Sequence, residues 1–387
     1  MSNDLCLSCD AKLTFQSLES YFRVTSDVKK FRKGSQIAEC KKCGLVQKYL
    51  SNLWLEEVKE IYSSYNMFHQ SYENQEQKVF VNDKNLQASR SEVVFEAIYN
   101  KALIKKNSKI LDVGCGNGPT LRVLSKRCPQ AELFGFEITS KNENSLLSIP
   151  NFKKLYSGSL DEINESFDLI ILFHSLEHML FPKQTLSVLY SKLNPNGKFL
   201  IQVPNVRKNF YDILVADHSI HFCPNTLSAM VRGLGDEYKA SLEIVNVLPK
   251  EITLLVSLNK AFNGPQPNCN FEQNILITCL NSLQIVRNKA ILFFEQNRAC
   301  KLGIFGTSIA ATWLAAEVAD CVTFFVDEDS TRVGNTHQGL PIYSLENIPL
   351  NAKIFVPPMS DNDKSLHLRL KFNKIDFESV NKDFLWR

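Results

Sequence analysis

Between residues 108 and 205, short apolar runs alternate with amphipathic stretches, and this alternation constrains the fold more than any other feature of the chain. The apolar runs span residues 109–113, 133–137, 155–158, 167–173 and 198–203. Helical periodicity marks residues 120–128 and 183–193 between them. Strands that alternate with helices predict an α/β fold, in which a parallel sheet is covered on both faces. Ligands of such sheets bind beyond the carboxyl ends of the strands.

Length and charge limit the possible classes of protein. The chain has 387 residues, which predicts two or three domains. Hydrophobic residues make up 44% and charged residues 22%, as in folded proteins in general. The net charge of +3 lacks the basic excess of a nucleic-acid-binding protein. The sequence has neither a run of about 20 apolar residues nor a signal-peptide pattern, so we expect a cytoplasmic protein that does not act at a membrane and whose 11 cysteines are reduced.

Two Cys-x-x-Cys pairs near the N-terminus indicate a metal site. The pairs are Cys6 with Cys9 and Cys40 with Cys43. Each pair delivers two thiolates from one short turn, and four thiolates match tetrahedral zinc. Four sulfur ligands leave no open coordination position, so we expect a structural zinc ion. The alternative is four free thiols in a reducing compartment.

A glycine-rich loop follows the first strand of the alternating region. The strand and loop read Ile110-Leu-Asp-Val-Gly-Cys-Gly-Asn-Gly118. Glycines at alternate positions let the backbone turn tightly and approach a ligand. Asp112 precedes the loop, the spacing is G-x-G-x-G, and the second strand ends in Glu137, whose carboxylate suits the two hydroxyls of a ribose. These details favour a nucleoside cofactor other than a dinucleotide.

This loop closely resembles the cofactor loop of class I S-adenosylmethionine-dependent methyltransferases. The segments Phe167-Asp-Leu-Ile-Ile-Leu-Phe-His-Ser-Leu-Glu-His178 and Gly197-Lys-Phe-Leu-Ile-Gln-Val-Pro-Asn205 resemble the fourth and fifth strands of that superfamily. The resemblance implies that the loop binds the methionine part of the cofactor, that Asp112 binds the amino group, and that Glu137 binds the ribose. Ser159 stands where many members of that superfamily have an acid that contacts the adenine. The cofactor residues implied in this way are Asp112, Gly114, Cys115, Gly116, Glu137, Ser159, Leu160 and His174.

The flanking regions resemble the sugar C-methyltransferase family. The segment Cys40-Lys-Lys-Cys-Gly-Leu-Val-Gln47 is similar to its second zinc knuckle, and Lys301-Leu-Gly-Ile-Phe-Gly-Thr-Ser308 is similar to the start of its C-terminal domain. The resemblance implies a zinc-binding domain over residues 1–75, a methyltransferase domain over 76–262, and a linker helix with a Rossmann-like domain over 263–387. It also implies a nucleotide-linked deoxysugar as the substrate, methylated at carbon 3. Tyr62 and Tyr65 stand where the family has a tyrosine-rich segment near the substrate, and packing between domains is an equally good reason for these tyrosines.

Four of the seven histidines follow strands of the central region, where a general base is expected. A carbon or hydroxyl acceptor must lose a proton, and a histidine has a pKa suited to accepting it. By resemblance, His218 is the base, Asp217 orients it, and His178 is a substrate ligand or auxiliary acid. The family's tyrosine and histidine before this acid are Val215 and Ala216 here. We therefore keep three alternatives. The acceptor atom is an oxygen, the acceptor molecule is a lipid-linked or free glycan, or the chain is a catalytically silent binding protein.

Three histidines stand apart from this group. His69, His337 and His367 have no chemical partner nearby in the sequence. We expect them at the surface, without a functional role.

Overall fold

The structure is a computed structural model that describes residues 4–66, 76, 78–81, 86–99, 104–234, 240–258, 274–358, 363–381 and 385. The predicted domain boundaries near residues 75 and 263 lie outside these ranges. Within the described residues, the strands fall into three larger sheets and two hairpins. None of the described helices combines the length and the apolarity needed to cross a membrane.

The N-terminal region is built from short strands and one helix. Ser51 caps the helix, because its hydroxyl accepts a hydrogen bond from the backbone N–H of Trp54. A β-hairpin links this region to the centre of the chain. The elements are β1 (Gln16–Ser17), β2 (Phe22–Val24), β3 (Lys30–Lys33), β4 (Gln36–Glu39), β5 (Val46–Lys48), α1 (Asn52–Ser63), β6 (Lys78–Val81) and β7 (Leu86–Ser89).

The central region forms a seven-stranded sheet with helices. Its predicted strands are confirmed, because each of the five apolar runs falls on one of the parallel strands. The elements are α2 (Arg90–Tyr99), β8 (Lys109–Val113), α3 (Pro119–Arg127), β9 (Glu132–Glu137), α4 (Glu143–Leu147), β10 (Phe152–Ser157), β11 (Phe167–Phe173), α5 (Pro182–Ser191), β12 (Leu193–Pro204), β13 (Ile220–His221), α6 (Pro224–Arg232), β14 (Ala240–Val245) and β15 (Glu251–Leu258).

The strand order of this sheet is β10-β9-β8-β11-β12-β15-β14. The first five strands are parallel, and β15 runs antiparallel to both of its neighbours. The order reverses between β8 and β11, so the loops after these two strands meet at the switch point where such sheets bind ligands. The predicted α/β fold of the class I methyltransferase type is therefore confirmed.

The C-terminal region contains a second α/β sheet. The helix expected at the start of this region is α7, which starts at Ile275 and is buried along one face. Its role as a linker stays a prediction. The sheet has the order β18-β19-β17-β16-β20-β21 and is parallel except for its edge strand β18. The elements are α7 (Ile275–Gln296), β16 (Lys301–Phe305), α8 (Ile309–Val318), β17 (Phe324–Val326), β18 (Thr336–His337), β19 (Leu340–Tyr343), β20 (Ala352–Val356), α9 (Asp363–Phe372) and β21 (Asp376–Ser379).

One strand of the central region completes the N-terminal sheet. That sheet has the order β1-β4-β5-β13, and β13 lies in the segment that follows β12 of the central sheet. The register pairs Ile220 with Gln47 and His221 with Val46. The N-terminal sheet therefore contacts the segment in which His218, the predicted base, lies.

Candidate active site and cysteine cluster

The glycine loop is bent into a shape that side chains would prevent. Gly114, Gly116 and Gly118 all have positive φ angles, of 80°, 55° and 84°. A Cβ atom on Gly114 would lie 2.7 Å from Cβ of Ser175, so this part of the loop packs directly against the turn after β11. A Cβ on Gly116 would meet no atom within 4 Å. The loop therefore has open space beside it, as a bound cofactor requires.

Two carboxyl groups lie below this loop. Glu137 Oε1 accepts a hydrogen bond of 2.6 Å from the backbone N–H of Gly116. Burial raises the pKa of Asp112 to about 8, with a further contribution from the charge of Glu137. Burial also raises the pKa of Glu137, partly offset by the hydrogen bond from Gly116. A positively charged ligand would stabilise the ionised form of both acids, and these residues thus fit the sulfonium cofactor.

Ser159 and Leu160 lie at the end of β10, on the same edge of the sheet. The Ser159 hydroxyl accepts a hydrogen bond of 3.2 Å from the backbone N–H of Asp161 and caps the short turn Leu160–Glu162. The Asp161 side chain is exposed, and its Oδ2 lies 3.2 Å from the Ser159 hydroxyl. Sequence reasoning missed this acid, although it lies two residues from the expected position.

His174 belongs to an ionic cluster beside the loop. Its Nδ1 lies 3.3 Å from Glu177 Oε1, and its Nε2 lies 3.3 Å from Glu251 Oε2 and 3.0 Å from Arg90 Nη1. Burial lowers the pKa of His174, but the carboxylates of Glu251 and Glu177 together outweigh this effect and bring the pKa to about 9. The cationic imidazole therefore balances two buried carboxylates, and its predicted contact with the cofactor stays a prediction.

The structure brings the remaining three histidines of the central region together around buried carboxylates. The rings of His178 and His218 lie edge to face, with centroids 4.6 Å apart. His218 Nδ1 lies 2.9 Å from Asp212 Oδ1, and His221 Nδ1 lies 2.6 Å from Asp212 Oδ2. Burial raises the pKa of Asp212, but the charges and hydrogen bonds of the two histidines lower it well below its usual range. Asp212 is thus an ionised carboxylate shared by two imidazoles.

The prediction that Asp217 orients His218 is wrong. Asp217 Oδ2 lies 3.3 Å from Nδ1 of His178 instead, while Asp212 takes the place beside His218. Ala216 and Asp217 lie in a turn that directs the Asp217 carboxylate to His178, while Nδ1 of His218 faces Asp212. Asp217 also accepts a hydrogen bond of 2.8 Å from the backbone N–H of Ser26.

A short chain of polar contacts connects the tyrosine segment to these histidines. The Tyr65 hydroxyl lies 3.3 Å from Ser26 Oγ, which donates a 2.5 Å hydrogen bond to Asp217 Oδ2. The rings of Tyr62 and Tyr65 stack with centroids 5.2 Å apart, and the Tyr62 ring lies 6.3 Å from that of His178. The structure therefore places both tyrosines close to the predicted catalytic residues.

The N-terminal region holds the backbone of the histidine segment. The Lys48 ammonium donates to the carbonyl of Val215, and the backbone N–H of Lys48 donates to the carbonyl of Ser219. Ala216 donates its N–H to Val24, and its carbonyl accepts from the indole of Trp54. Lys48 is fully buried. These bonds connect the segment to elements more than 160 residues earlier in the chain, so the N-terminal region forms one wall of the candidate site.

The four N-terminal cysteines come together in one cluster. Sγ of Cys6 lies 3.5 Å from that of Cys43, and Sγ of Cys9 lies 3.6 Å from that of Cys40. Sulfurs bound tetrahedrally at about 2.3 Å from zinc are separated by about 3.8 Å, so these spacings fit a shared ion. Three of the four thiols are buried. The cluster could therefore hold a zinc ion between the turns before β1 and β5.

The isolated histidines behave differently from one another. The prediction for His337 is wrong, because this residue is 1% exposed and its Nε2 lies 2.7 Å from the Thr312 hydroxyl. His367 is half-buried in α9 and packs against the ring of Phe377. His69 lies outside the described residues. A buried polar group needs a hydrogen-bond partner, and Thr312 meets that need for His337.

Comparison with known proteins assigns the central sheet to a class. Residues 86–232 match a family model described as a methyltransferase domain. This range contains the glycine loop, the parallel strands and all the candidate catalytic residues. Together with the strand order, the match defines residues 86–232 as an S-adenosylmethionine-dependent methyltransferase domain of class I.

Individual relatives are similar to part of the chain. The chain is 28% identical over 99 residues to trans-aconitate 2-methyltransferase of Deinococcus radiodurans, covering 25% of this chain and 38% of that protein. It is 26% identical over 130 residues to ubiquinone biosynthesis O-methyltransferase of Idiomarina loihiensis, covering 30% and 51%. The chain thus spans about half or less of the length of these curated relatives. A solved S-adenosylmethionine-dependent methyltransferase from Clostridium acetobutylicum is 15% identical, with 44% of this chain and 90% of that chain covered and a TM-score of 0.35.

Proposed function

We propose that this chain transfers a methyl group from S-adenosylmethionine to a nucleotide-linked deoxysugar, with a ring carbon as the favoured acceptor. The main support is the packing of the glycine loop against the turn that carries the histidines, where Gly114 and Ser175 touch. His218, the proposed proton acceptor, packs edge to face on His178 of this turn, so a methyl donor on the loop and His218 would face one substrate. The sugar acceptor and the carbon acceptor rest on the resemblance of the flanking regions.

The cofactor, when bound, supplies the electrophilic methyl group. Asp112 and Glu137 would hold its amino group and ribose, while Gly114, Cys115 and Gly116 allow its close approach. Ser159 and Leu160 would lie at the adenine, and His174 would complete this side of the site. Correct positioning is the main contribution that a protein makes to such a displacement.

His218 would remove the proton of the acceptor. Its Nδ1 faces the Asp212 carboxylate and therefore carries the hydrogen, so its Nε2 has the free lone pair that a general base needs. His178, held by Asp217, would bind the substrate or act as an auxiliary acid. Tyr62 and Tyr65, near His178, would contact the sugar.

A hydroxyl acceptor is the second candidate. Val215 and Ala216 are both buried apolar residues at the positions where the resembled family has a tyrosine and a histidine. The pairing of His218 with Asp212 is suited to removing a proton from a hydroxyl group, which needs no second proton donor. Analysis of the methylated product distinguishes the two acceptors.

The cysteine cluster would bind structural zinc, and the C-terminal sheet would bind the nucleotide part of the substrate. The β16 glycine turn at Gly306 leads into α8, whose free backbone N–H groups suit a phosphate. The Arg332 side chain beside it donates a hydrogen bond of 2.7 Å to the Thr307 hydroxyl. Arg332 also lies 3.7 Å from the Asp327 carboxylate and 3.6 Å from that of Asp329, so the preference for a nucleotide-linked acceptor over a free glycan rests on the resemblance of the flanking regions.

The variant His218→Gln tests the base. We expect it to bind S-adenosylmethionine normally in calorimetry and to lose methyl transfer to a panel of nucleotide-linked sugars. His367→Gln, which replaces a histidine of α9 that packs against Phe377, is the matched control and should keep wild-type turnover. Near-normal turnover in His218→Gln would contradict the assignment. A wild-type protein that binds the cofactor tightly and methylates no acceptor would favour the silent binding protein.

A further inference from the structure

Three side chains near the predicted acceptor form a cluster, and one of them, Glu177, has no part in the proposed methyl transfer. Glu177 and His178 lie on the turn after β11, and His218 lies between β12 and β13. One ligand atom from each of the three lies within 4.8 Å of the others. Two imidazoles and one carboxylate are a ligand set that divalent transition metals bind.

Both imidazoles are oriented as metal ligands are. Nδ1 of His178 lies 3.3 Å from the Asp217 carboxylate, and Nδ1 of His218 lies 2.9 Å from the Asp212 carboxylate. A histidine that binds a metal through one nitrogen usually donates its other N–H to a carboxylate or carbonyl, which fixes the ring and makes it a better ligand. In both rings, Nε2 is the nitrogen that these carboxylates leave for a ligand.

The cationic imidazole of His174 faces only one oxygen of the Glu177 carboxylate. Glu177 is 1% exposed, and within the described part of the chain neither of its side-chain oxygens makes a hydrogen bond. Its contact with His174 Nδ1, at 3.3 Å, serves one oxygen. The other oxygen, Oε2, is buried without a hydrogen bond among the described residues, and a metal ion would satisfy it.

We propose that Glu177, His178 and His218 bind a divalent cation of the zinc, cobalt or manganese type, separate from the four-cysteine cluster. Three protein ligands leave coordination positions open, as in catalytic sites. Among the described residues, Asp212, His218 and His221 form a third group that is close enough to hold an ion, but its carboxylate is already occupied. Both oxygens of Asp212 already accept hydrogen bonds from imidazole Nδ1 atoms.

This site has a consequence for His218 as a base. A lone pair that binds a cation cannot accept a proton, so one molecule uses Nε2 for one purpose at a time. If His218 is the base, the cation-loaded protein transfers methyl groups more slowly than the protein without a cation there. Cation binding itself does not depend on the proposed methyl transfer.

Cobalt titration of the chelator-treated full-length protein tests the site. We expect two cobalt ions per chain by native mass spectrometry, one with thiolate-to-cobalt absorption and one without it. Glu177→Gln and His178→Gln should bind a single ion, with the thiolate absorption retained. Glu143→Gln, which changes an exposed acid of α4, is the control and should still bind two. A wild-type protein that binds one ion, or variants that keep the second ion, would overturn the proposal.

The same samples separate this inference from the proposed function. The ion count needs no acceptor substrate, so a failure to methylate any sugar leaves it unchanged. A fall in turnover as the second ion binds agrees with both proposals. A rise in turnover supports the metal site and contradicts the role of His218 as a base.

Discussion

Replacing Glu137 by glutamine tests the predicted cofactor site without any knowledge of the acceptor. Its carboxylate ends β9 and already accepts the Gly116 N–H at 2.6 Å. In the proposed complex it also accepts hydrogen bonds from two ribose hydroxyls. Bonds to a charged acceptor contribute about 1 kcal/mol more than bonds to a neutral one, so the amide should lose about 2 kcal/mol over the two bonds. This corresponds to roughly 30-fold weaker binding.

Isothermal titration calorimetry with S-adenosylmethionine measures this loss. Glu132→Gln is the matched control, because it makes the same change at the other end of β9, where the side chain is 40% exposed. We expect the control to bind like the wild type, and both variants to keep the wild-type circular dichroism spectrum. Binding of Glu137→Gln within threefold of the wild type would refute the assignment of the ribose to this carboxylate.

Three further predictions concern other buried ionisable groups. Because the pKa of Asp112 is about 8, this acid is mostly protonated at pH 7, and binding of the cationic cofactor should release its proton. Calorimetry in two buffers of different ionisation enthalpy measures the proton release, which Asp112→Asn should lack. Asp212→Asn should lower turnover by roughly 10²-fold or more, and by more than Asp217→Asn, because it removes the acceptor beside the proposed base; equal losses in steady-state kinetics would contradict this. Burial lowers the pKa of Lys48 from 10.5 to about 7, so between these two pH values the unfolded chain binds more protons than the folded one, and the free energy of unfolding should rise with pH. Urea unfolding of Lys48→Met should lack this rise.

The sequence predicted the central fold because the pattern that encodes it is local. Each parallel strand is an apolar run bounded by turn residues, and the helices between them keep their own periodicity. The glycine loop could also be predicted from the sequence, because the positive φ angles at positions 114 and 116 favour glycine. The clustering of the four cysteines also followed from the pairing of two short motifs.

The partner of His218 could not be predicted in the same way. Asp217 was chosen because it is adjacent in sequence, whereas the partner is Asp212, which the short turn Phe210–Leu214 folds back toward the ring. One signal was present, since Asp212 is a single acid inside the apolar run Phe-Tyr-Asp-Ile-Leu. A buried acid of this kind needs a partner, and a histidine six residues away is a candidate.

The pairing of the N-terminal sheet with β13 could not be predicted from the sequence either. Strand β13 has two residues, too few for a recognisable pattern, and its partner β5 lies more than 170 residues earlier. Glu177 and Glu251 look like ordinary charged residues until the fold brings them beside His174. Such contacts depend on tertiary packing, which local periodicity does not encode.

The most direct test of methyl transfer is mass spectrometry of the purified protein with isotope-labelled S-adenosylmethionine and nucleotide-linked sugars, including 4-keto forms. We predict a labelled methyl group on the sugar, with the label on a ring carbon if the family resemblance extends to the mechanism. A label on oxygen would assign the histidines to hydroxyl deprotonation. Bound cofactor with no labelled sugar in the whole panel would contradict the proposed function.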